Sequence, residues 1–295
     1  MAGQARVALF KGIAAVLERL PERFDVGVAR TLAPLVSRVT KGARRNLSDN
    51  LIHALAVKGT PVAGELLESF VDRGFASYGQ YWAESAKLPA LKEATITSRF
   101  VIAEGMEHLL EAKARGQGIV IALPHIGSWE WGGALLASLD LPMTAVAEEL
   151  EPRELFEWFK SKRQSIGINI APLDAHAGTA LLQTLRDGGV VGLLCDRDIQ
   201  ENGLMVDFFG ERVTIPAGPA TLALRTGATL VAAACYSGPG RDHHAVVTPP
   251  INTDRTARLR DDVSRVTQAI AIELEGLIRR APEQWHVLQP RFSDS

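Results

Sequence analysis

The chain has 295 residues, 46% of them apolar and 22% charged, with a net charge of −2. That length allows one large domain or two small ones, and it can bury enough surface to fold without disulfide or metal staples. The composition excludes disorder, collagen and coiled coil, and the near-neutral balance argues against a nucleic-acid coat.

Residues 1–60 depart from this balance, with ten basic and four acidic side chains. Leu9, Ile13, Val16, Leu17 and Leu20 follow helical spacing, and so do Val28, Leu32, Leu35, Val36 and Val39. The reading is an amphipathic helical extension over 1–60 that packs on a main domain over 61–295. Basic amphipathic helices of this kind also suit an anionic membrane surface. No apolar run approaches the roughly 18–20 residues of a membrane span. Lys11 interrupts the first apolar stretch, so no signal peptide is expected. Two cysteines, Cys195 and Cys235, make no disulfide framework and point to a reducing, cytoplasmic compartment.

Further along, an aromatic-bearing helix is predicted over 60–90, with Phe70, Phe75, Tyr78, Tyr81 and Trp82 read chiefly as core. A helix over 106–114 gives way at Gly116 and Gly118 to a buried strand, Ile119–Leu123. Then follow a helix over 129–139, a strand over 143–147, a helix over 152–166, an extended piece over 168–172 and a helix over 178–187. A second buried strand spans Val190–Cys195. A helix over 218–226, strands over 230–236 and 244–248, and a long helix over 257–280 complete the series. Apolar strands alternating with helices give the fold class: α/β, a central, mostly parallel sheet covered by helices on both faces.

The chemistry concentrates at two strand ends. His125 lies just past the carboxyl end of the first buried strand, where α/β sheets place their sites. Glu130 follows five residues later and can fold its carboxylate onto the imidazole, fixing the tautomer and raising the basicity of the other nitrogen. The second buried strand runs into Asp196-Arg197-Asp198. If the two strands are adjacent and parallel, Asp196 becomes a second carboxylate for His125, and Arg197 or Asp198 anchors a loop or a polar head group.

Four blocks carry a family resemblance: His125-x4-Glu130; Gly189–Asp198; Val206–Glu211 with Pro216–Ala220; and Pro282-Glu283-Gln284-Trp285-His286. In this order they resemble the glycerolipid and lipid A acyltransferase superfamily, and within it the phosphatidylinositol mannoside acyltransferases of actinobacteria. The resemblance implies direct acyl transfer from a thioester to a sugar hydroxyl, with His125, Glu130 and Asp196 catalytic and no cofactor or metal. Acyl-CoA is then the co-substrate, in keeping with the lack of a clear basic patch for a carrier protein, and palmitoyl is the expected acyl group. The other implied partners are a membrane glycolipid acceptor and an anionic membrane surface, with the protein peripheral on the cytoplasmic face. By the same resemblance Arg163, one of Glu148 and Glu149, and His286 bind substrate, beside Arg197 and Asp198 from the second strand end. Pro124 stands where the motif usually has Asn, and Glu130 where Asp is commoner.

Other readings compete. Asp196-x-Asp198 is also the metal-binding element of many glycosyltransferases, which leaves His125 and Glu130 without a task. A lipid-surface scaffold without turnover would tolerate loss of His125. Cys195 reads as a buried inert thiol, His243-His244 as a strand-edge pair, and Gly238-Pro239-Gly240 as a turn between strands.

Overall fold

In the computed structural model, residues 2–19, 21–56, 62–148, 151–173 and 177–292 are described. Four helices come first: α1 (Ala2–Arg19), α2 (Glu22–Val39), α3 (Lys41–Leu55) and α4 (Gly64–Lys87). A short helix α5 (Glu93–Arg99) leads into β1 (Phe100–Glu104), α6 (Met106–Ala114) and β2 (Ile119–Leu123). Then come α7 (Trp129–Ser138), β3 (Met143–Ala147), α8 (Arg153–Gln164), β4 (Asn169–Pro172), α9 (Ala177–Arg186) and β5 (Val190–Leu194). A hairpin of β6 (Leu204–Phe208) and β7 (Glu211–Ile215) precedes α10 (Gly218–Thr226), β8 (Thr229–Ser237), β9 (His243–Val247) and α11 (Leu259–Arg280).

Seven strands form one sheet in the order β1-β9-β8-β2-β5-β3-β4, parallel throughout except for the β8–β9 pair. β2 sits mid-sheet, and all five of its residues are buried. Its alternation divides the core: Val120 and Ala122 face the cluster built by α9, α10 and α11. Ile119, Ile121 and Leu123 face the cluster built by α6, α7 and α8. A strand covered on both sides reads as an unbroken apolar run, which is why the sequence announces it so clearly. The expected α/β architecture is therefore the one observed.

Two features were not read from the sequence. The α5–β1 unit escapes because β1 is an edge strand with only Phe100 fully buried, so its apolar signal is weak. The β6–β7 hairpin lies outside the main sheet and packs on α11: Gln268 and Glu275 accept from the backbone N–H groups of Asp207 and Phe209 at 2.8 and 2.7 Å. Its turn places both Phe209 and Gly210 at positive φ, as a tight hairpin demands, and only Gly210 advertises that.

α1, α2 and α3 all pack on α4. The face that α2 turns inward is not the one its apolar spacing suggests. Val26, Ala33 and Ser37 are buried, while Val28, Leu32, Leu35, Val36 and Val39 are exposed. Small residues allow this: a Cβ on Gly79 of α4 would lie 3.0 Å from the Ala29 carbonyl oxygen and 3.1 Å from the Ala33 Cβ. α3 ties the extension to the far end of the chain. Asn50 donates to the carbonyls of Val287 and Gln289 at 2.9 Å each, and Asn46 donates to Leu288. Among the described residues no helix is long and apolar enough to cross a membrane.

Candidate active site

β2 and β5 are hydrogen-bonded neighbours in parallel register, with Leu123 opposite Leu194. Two residues beyond each partner stand His125 and Asp196, so the ladder itself delivers imidazole and carboxylate to the same point. Asp196 is fully buried and accepts three hydrogen bonds: His125 Nδ1 lies 2.5 Å from Oδ1, and the His125 backbone N–H and Trp285 Nε1 donate to Oδ2 at 2.9 and 2.7 Å. Burial alone would push this carboxyl up, but the His125 charge and these donors outweigh it and hold it at about 2. The anionic carboxylate fixes the proton of the neutral ring on Nδ1 and leaves the Nε2 lone pair for a substrate proton. The His125 side chain is 23% exposed, so a reactant can reach it.

The loop carrying His125 is bound on both flanks. The His286 N–H donates to the His125 carbonyl at 2.7 Å, and the Gly127 and Ser128 N–H groups donate to the carbonyls of Gln284 and Cys235 at 2.9 Å each. Gly127 has φ +53, and a Cβ there would lie 2.0 Å from the Cys235 carbonyl oxygen, so only glycine fits. The Gln284 amide spans the remaining gap, accepting from Ser237 N–H and donating to Ser237 carbonyl at 2.8 and 2.9 Å.

Glu130 does not fold back onto His125 as expected. It is one residue into α7, and its carboxylate faces α4 and α8 instead. Ser85 donates to Oε2 at 2.5 Å, while Arg163 Nε and Nη2 each lie 3.1 Å from Oε1. Burial works against the Arg163 charge, but Glu130 and Tyr81 outweigh it. The guanidinium is further held against Trp129, 5.0 Å from the ring centre. Burial and Glu130 push the Tyr81 phenol far up, which keeps it a neutral hydrogen-bonding group. The site thus holds two separate acid–base pairs, His125–Asp196 and Arg163–Glu130.

Residues 3–294 match the family described as bacterial lipid A biosynthesis acyltransferase. The chain belongs to that acyltransferase family. It is 34% identical over 281 residues to the phosphatidylinositol mannoside acyltransferase of Mycolicibacterium smegmatis, covering 94% of this chain and 88% of the relative. It is 35% identical over 255 residues to the protein of that name from Mycobacterium tuberculosis, covering 85% and 78%. The lipid A biosynthesis acyltransferase of Haemophilus influenzae is more distant, at 25% over 230 residues, covering 74% and 67%.

The remaining expected residues of this acyltransferase scatter around the two pairs. His286 contacts the site through its backbone and places Nε2 2.9 Å from Ser77 Oγ, with its ring beside Tyr78 and Tyr81. Burial and nearby His125 hold its imidazole well below the usual range. Asp198 anchors a loop, accepting from the N–H groups of Gly203 and Asn202 at 2.8 and 3.3 Å. Arg197 is half-buried beside it. Glu148 is exposed just past β3, and Glu149 lies outside the described residues. The carboxylates of Asp196 and Asp198 engage different donors, and among the described residues no cluster of three or more His, Cys, Asp and Glu is placed to hold a metal ion. Cys195 is buried, and burial first, then Asp196, push its thiol far up. His243 is not a strand-edge surface residue: it is 3% exposed, stacked 4.2 Å from Trp131.

Trp285 as an Asp196 donor, and Ser77, Tyr81 and Ser85 on α4, were not foreseen. Their signal was available: 77, 81, 84 and 85 share one face of a helix whose aromatics were read as core. Glu84, on that face, accepts from Gln80 at 2.7 Å and Ser128 at 3.1 Å. Burial pushes it up to about 7, against those bonds and the charges of Arg241 and Arg30. Its folded state therefore holds a proton that the unfolded chain releases near 4.5, and stability from this group falls as pH rises between about 4.5 and 7. Replacing Glu84→Gln should flatten that fall. In thermal melts, the variant-minus-wild-type difference in Tm should grow more positive from pH 5 to pH 8, whereas a constant difference contradicts the assignment.

Proposed function

We propose that this acyltransferase moves a long-chain acyl group, palmitoyl, from acyl-CoA to a mannose hydroxyl of a phosphatidylinositol mannoside at the cytoplasmic face of the membrane. The single observation that carries the chemistry is the buried Asp196 carboxylate on His125 Nδ1, which leaves Nε2 without a protein partner among the described residues, on a side chain that is 23% exposed. The likeness to the two mycobacterial acyltransferases supports the acceptor.

His125 Nε2 takes the proton of the acceptor hydroxyl as that oxygen attacks the thioester carbonyl. Asp196 stabilises the imidazolium that forms. The tetrahedral intermediate collapses, the C–S bond breaks, and the imidazolium returns the proton to the leaving thiolate. Arg163, oriented by Glu130, is the cation for the developing oxyanion, and such donors contribute about 10²–10³-fold each. An apolar cavity lies between α7 and the sheet, lined by Leu123, Trp129, Leu136, Met143 and Ala233 among others. Its volume of about 30 Å³ is far below that of an acyl chain, so the lining side chains must move aside to admit one.

Membrane attachment rests on α2. Its exposed Val28, Leu32, Leu35, Val36 and Val39 form one apolar face in a segment rich in Arg and Lys, the pattern of a helix lying in an anionic interface.

Two measurements test this reading. With palmitoyl-CoA and a phosphatidylinositol mannoside, His125→Ala should lose at least about 10²-fold in transfer, and EDTA should leave the wild type active. Unchanged transfer by the variant contradicts the base role, loss in EDTA contradicts metal-free transfer, and no acyl transfer to any acceptor revives the glycosyltransferase and scaffold readings. Label moving only into another glycolipid or a lysophospholipid overturns the acceptor alone. The combined variant Leu32→Asp, Leu35→Asp and Val39→Asp should bind phosphatidylglycerol-containing vesicles at least about tenfold more weakly in co-sedimentation. Equal binding contradicts the α2 attachment.

A further inference from the structure

Ser128 precedes α7 at the position where a serine ordinarily turns its hydroxyl onto the first turn of its own helix. Here the hydroxyl makes no such cap. It donates instead to Glu84 Oε2 of α4 at 3.1 Å, and lies 3.2 Å from Ser237 Oγ at the end of β8. Ser128 stands between His125 and Glu130 in the chain, so this bond grips the loop that joins the two acid–base pairs. Glu84 Oε1 accepts from Gln80 Nε2 at 2.7 Å, and Gln80 Oε1 accepts from Arg30 Nε of α2 at 2.9 Å. Arg30, Gln80, Glu84 and Ser128 thus form one hydrogen-bonded series from α2 through α4 to the loop.

The series has a fixed sense. A guanidinium can only donate, so Arg30 turns the Gln80 carbonyl oxygen toward α2 and leaves the Gln80 amide to donate to Glu84. Gln80, Glu84 and Ser128 are buried, so an unmet polar group among them is costly. Among the described residues nothing competes with Ser128 for Oε2. His243 Nε2 is 3.8 Å away, beyond hydrogen-bond reach, and burial, then the charges of Arg99 and His244, hold its imidazole neutral, down to about 3. The charges that bear on Glu84 are those of Arg241 and Arg30. α2 and α4 also meet closely at this point: a Cβ on Gly79, next to Gln80, would lie 3.0 Å from the carbonyl oxygen of Ala29, next to Arg30.

We propose that Glu84 is a positioning residue for the loop that carries His125 and Glu130, and that Arg30 of α2 sets its hydrogen bonding through Gln80. This rests on the reading of His125 as the base. The Ser128 bond adds a side-chain hold to the backbone bonds at His125, Gly127 and Ser128, and it comes from the helix that also supplies Ser85 to Glu130. α4 thereby fixes the two acid–base pairs relative to each other. A glutamine at 84 can do the same. Its carbonyl oxygen accepts from Gln80, its amide donates to the Ser128 hydroxyl, and that hydroxyl turns to Ser237. An alanine offers neither bond.

Steady-state transfer from palmitoyl-CoA to a phosphatidylinositol mannoside tests this in the full chain. Glu84→Ala and Ser128→Ala should each lower kcat about tenfold or more, with KM for both reactants within about twofold of wild type. Glu84→Gln should keep kcat within about threefold. Arg30→Ala should lower kcat less than Glu84→Ala does, and add nothing when combined with it. Rates of both alanine variants within about twofold of wild type overturn the positioning role, and so does a loss that Glu84→Gln shares in full. Ser128→Ala removes a single hydroxyl, so it decides the matter if Glu84→Ala fails to fold. Additive losses in Arg30→Ala and Glu84→Ala overturn the link to α2. A wild type that transfers no acyl group removes the acyltransferase reading instead, and the loop is then followed by NMR through the His125 Nδ1 proton. Loss of that signal to solvent exchange in Ser128→Ala, with retention in Glu84→Gln, upholds the positioning role, and an unchanged signal in Ser128→Ala overturns it.

Discussion

Much of the site depends on one buried charge. Asp196 has no exposed surface, yet it remains a carboxylate because three donors converge on it. Leaving such a group with a missing partner costs about 3–5 kcal/mol. That constraint reaches in three directions. It requires β2 and β5 to be parallel neighbours in their observed register, because that brings the His125 backbone and ring to Asp196. It requires Trp285, five residues past the end of α11, to be buried, which draws the C-terminal segment across the carboxyl edge of the sheet. It also requires something to hold that segment there, and Asn46 and Asn50 of α3 do so through the carbonyls of residues 287–289. The N-terminal helices are thus part of the support of the site, and not only an attachment to it.

The second pair explains why two carboxylates are needed near one histidine. A single acid that both oriented His125 and neutralised Arg163 would bring imidazolium and guanidinium together and raise the cost of protonating the ring. Dividing the work avoids this. Asp196 sits on the sheet side with Trp285, while Glu130 sits with Ser85, Tyr81 and Arg163 between α4, α7 and α8. Because α7 also covers the apolar cavity and carries Trp129 against the Arg163 guanidinium, one element touches both the cavity and the cation.

The parts of the structure legible in the sequence are those where burial on two faces leaves a long apolar run. Ile119–Leu123 and Val190–Leu194 announced themselves, and with them the strand ends that carry His125 and Asp196. β1 and the β6–β7 hairpin are half-exposed, so their patterns are short and mixed. Which carboxylate pairs with His125, Glu130 or Asp196, stays open in the sequence for a different reason. A five-residue spacing says that two side chains are near in the chain, but not which way the first turn of α7 points them, and the competing donors come from positions 85 and 163. Trp285 was visible as part of a signature, but its hydrogen bond to Asp196 is a contact across 89 residues that spacing cannot supply. The apolar series on α2 was read correctly as a stripe. Its outward orientation depends on Gly79, Ala29 and Ala33, which let small residues form the helix contact.

The central claim is that Asp196, and not Glu130, holds the proton on His125 Nδ1. Proton NMR of ¹⁵N-histidine-labelled protein observes that proton directly, as a downfield signal coupled to Nδ1. The account predicts that the signal persists in Glu130→Gln and disappears in Asp196→Asn. Loss in Glu130→Gln with retention in Asp196→Asn would contradict it.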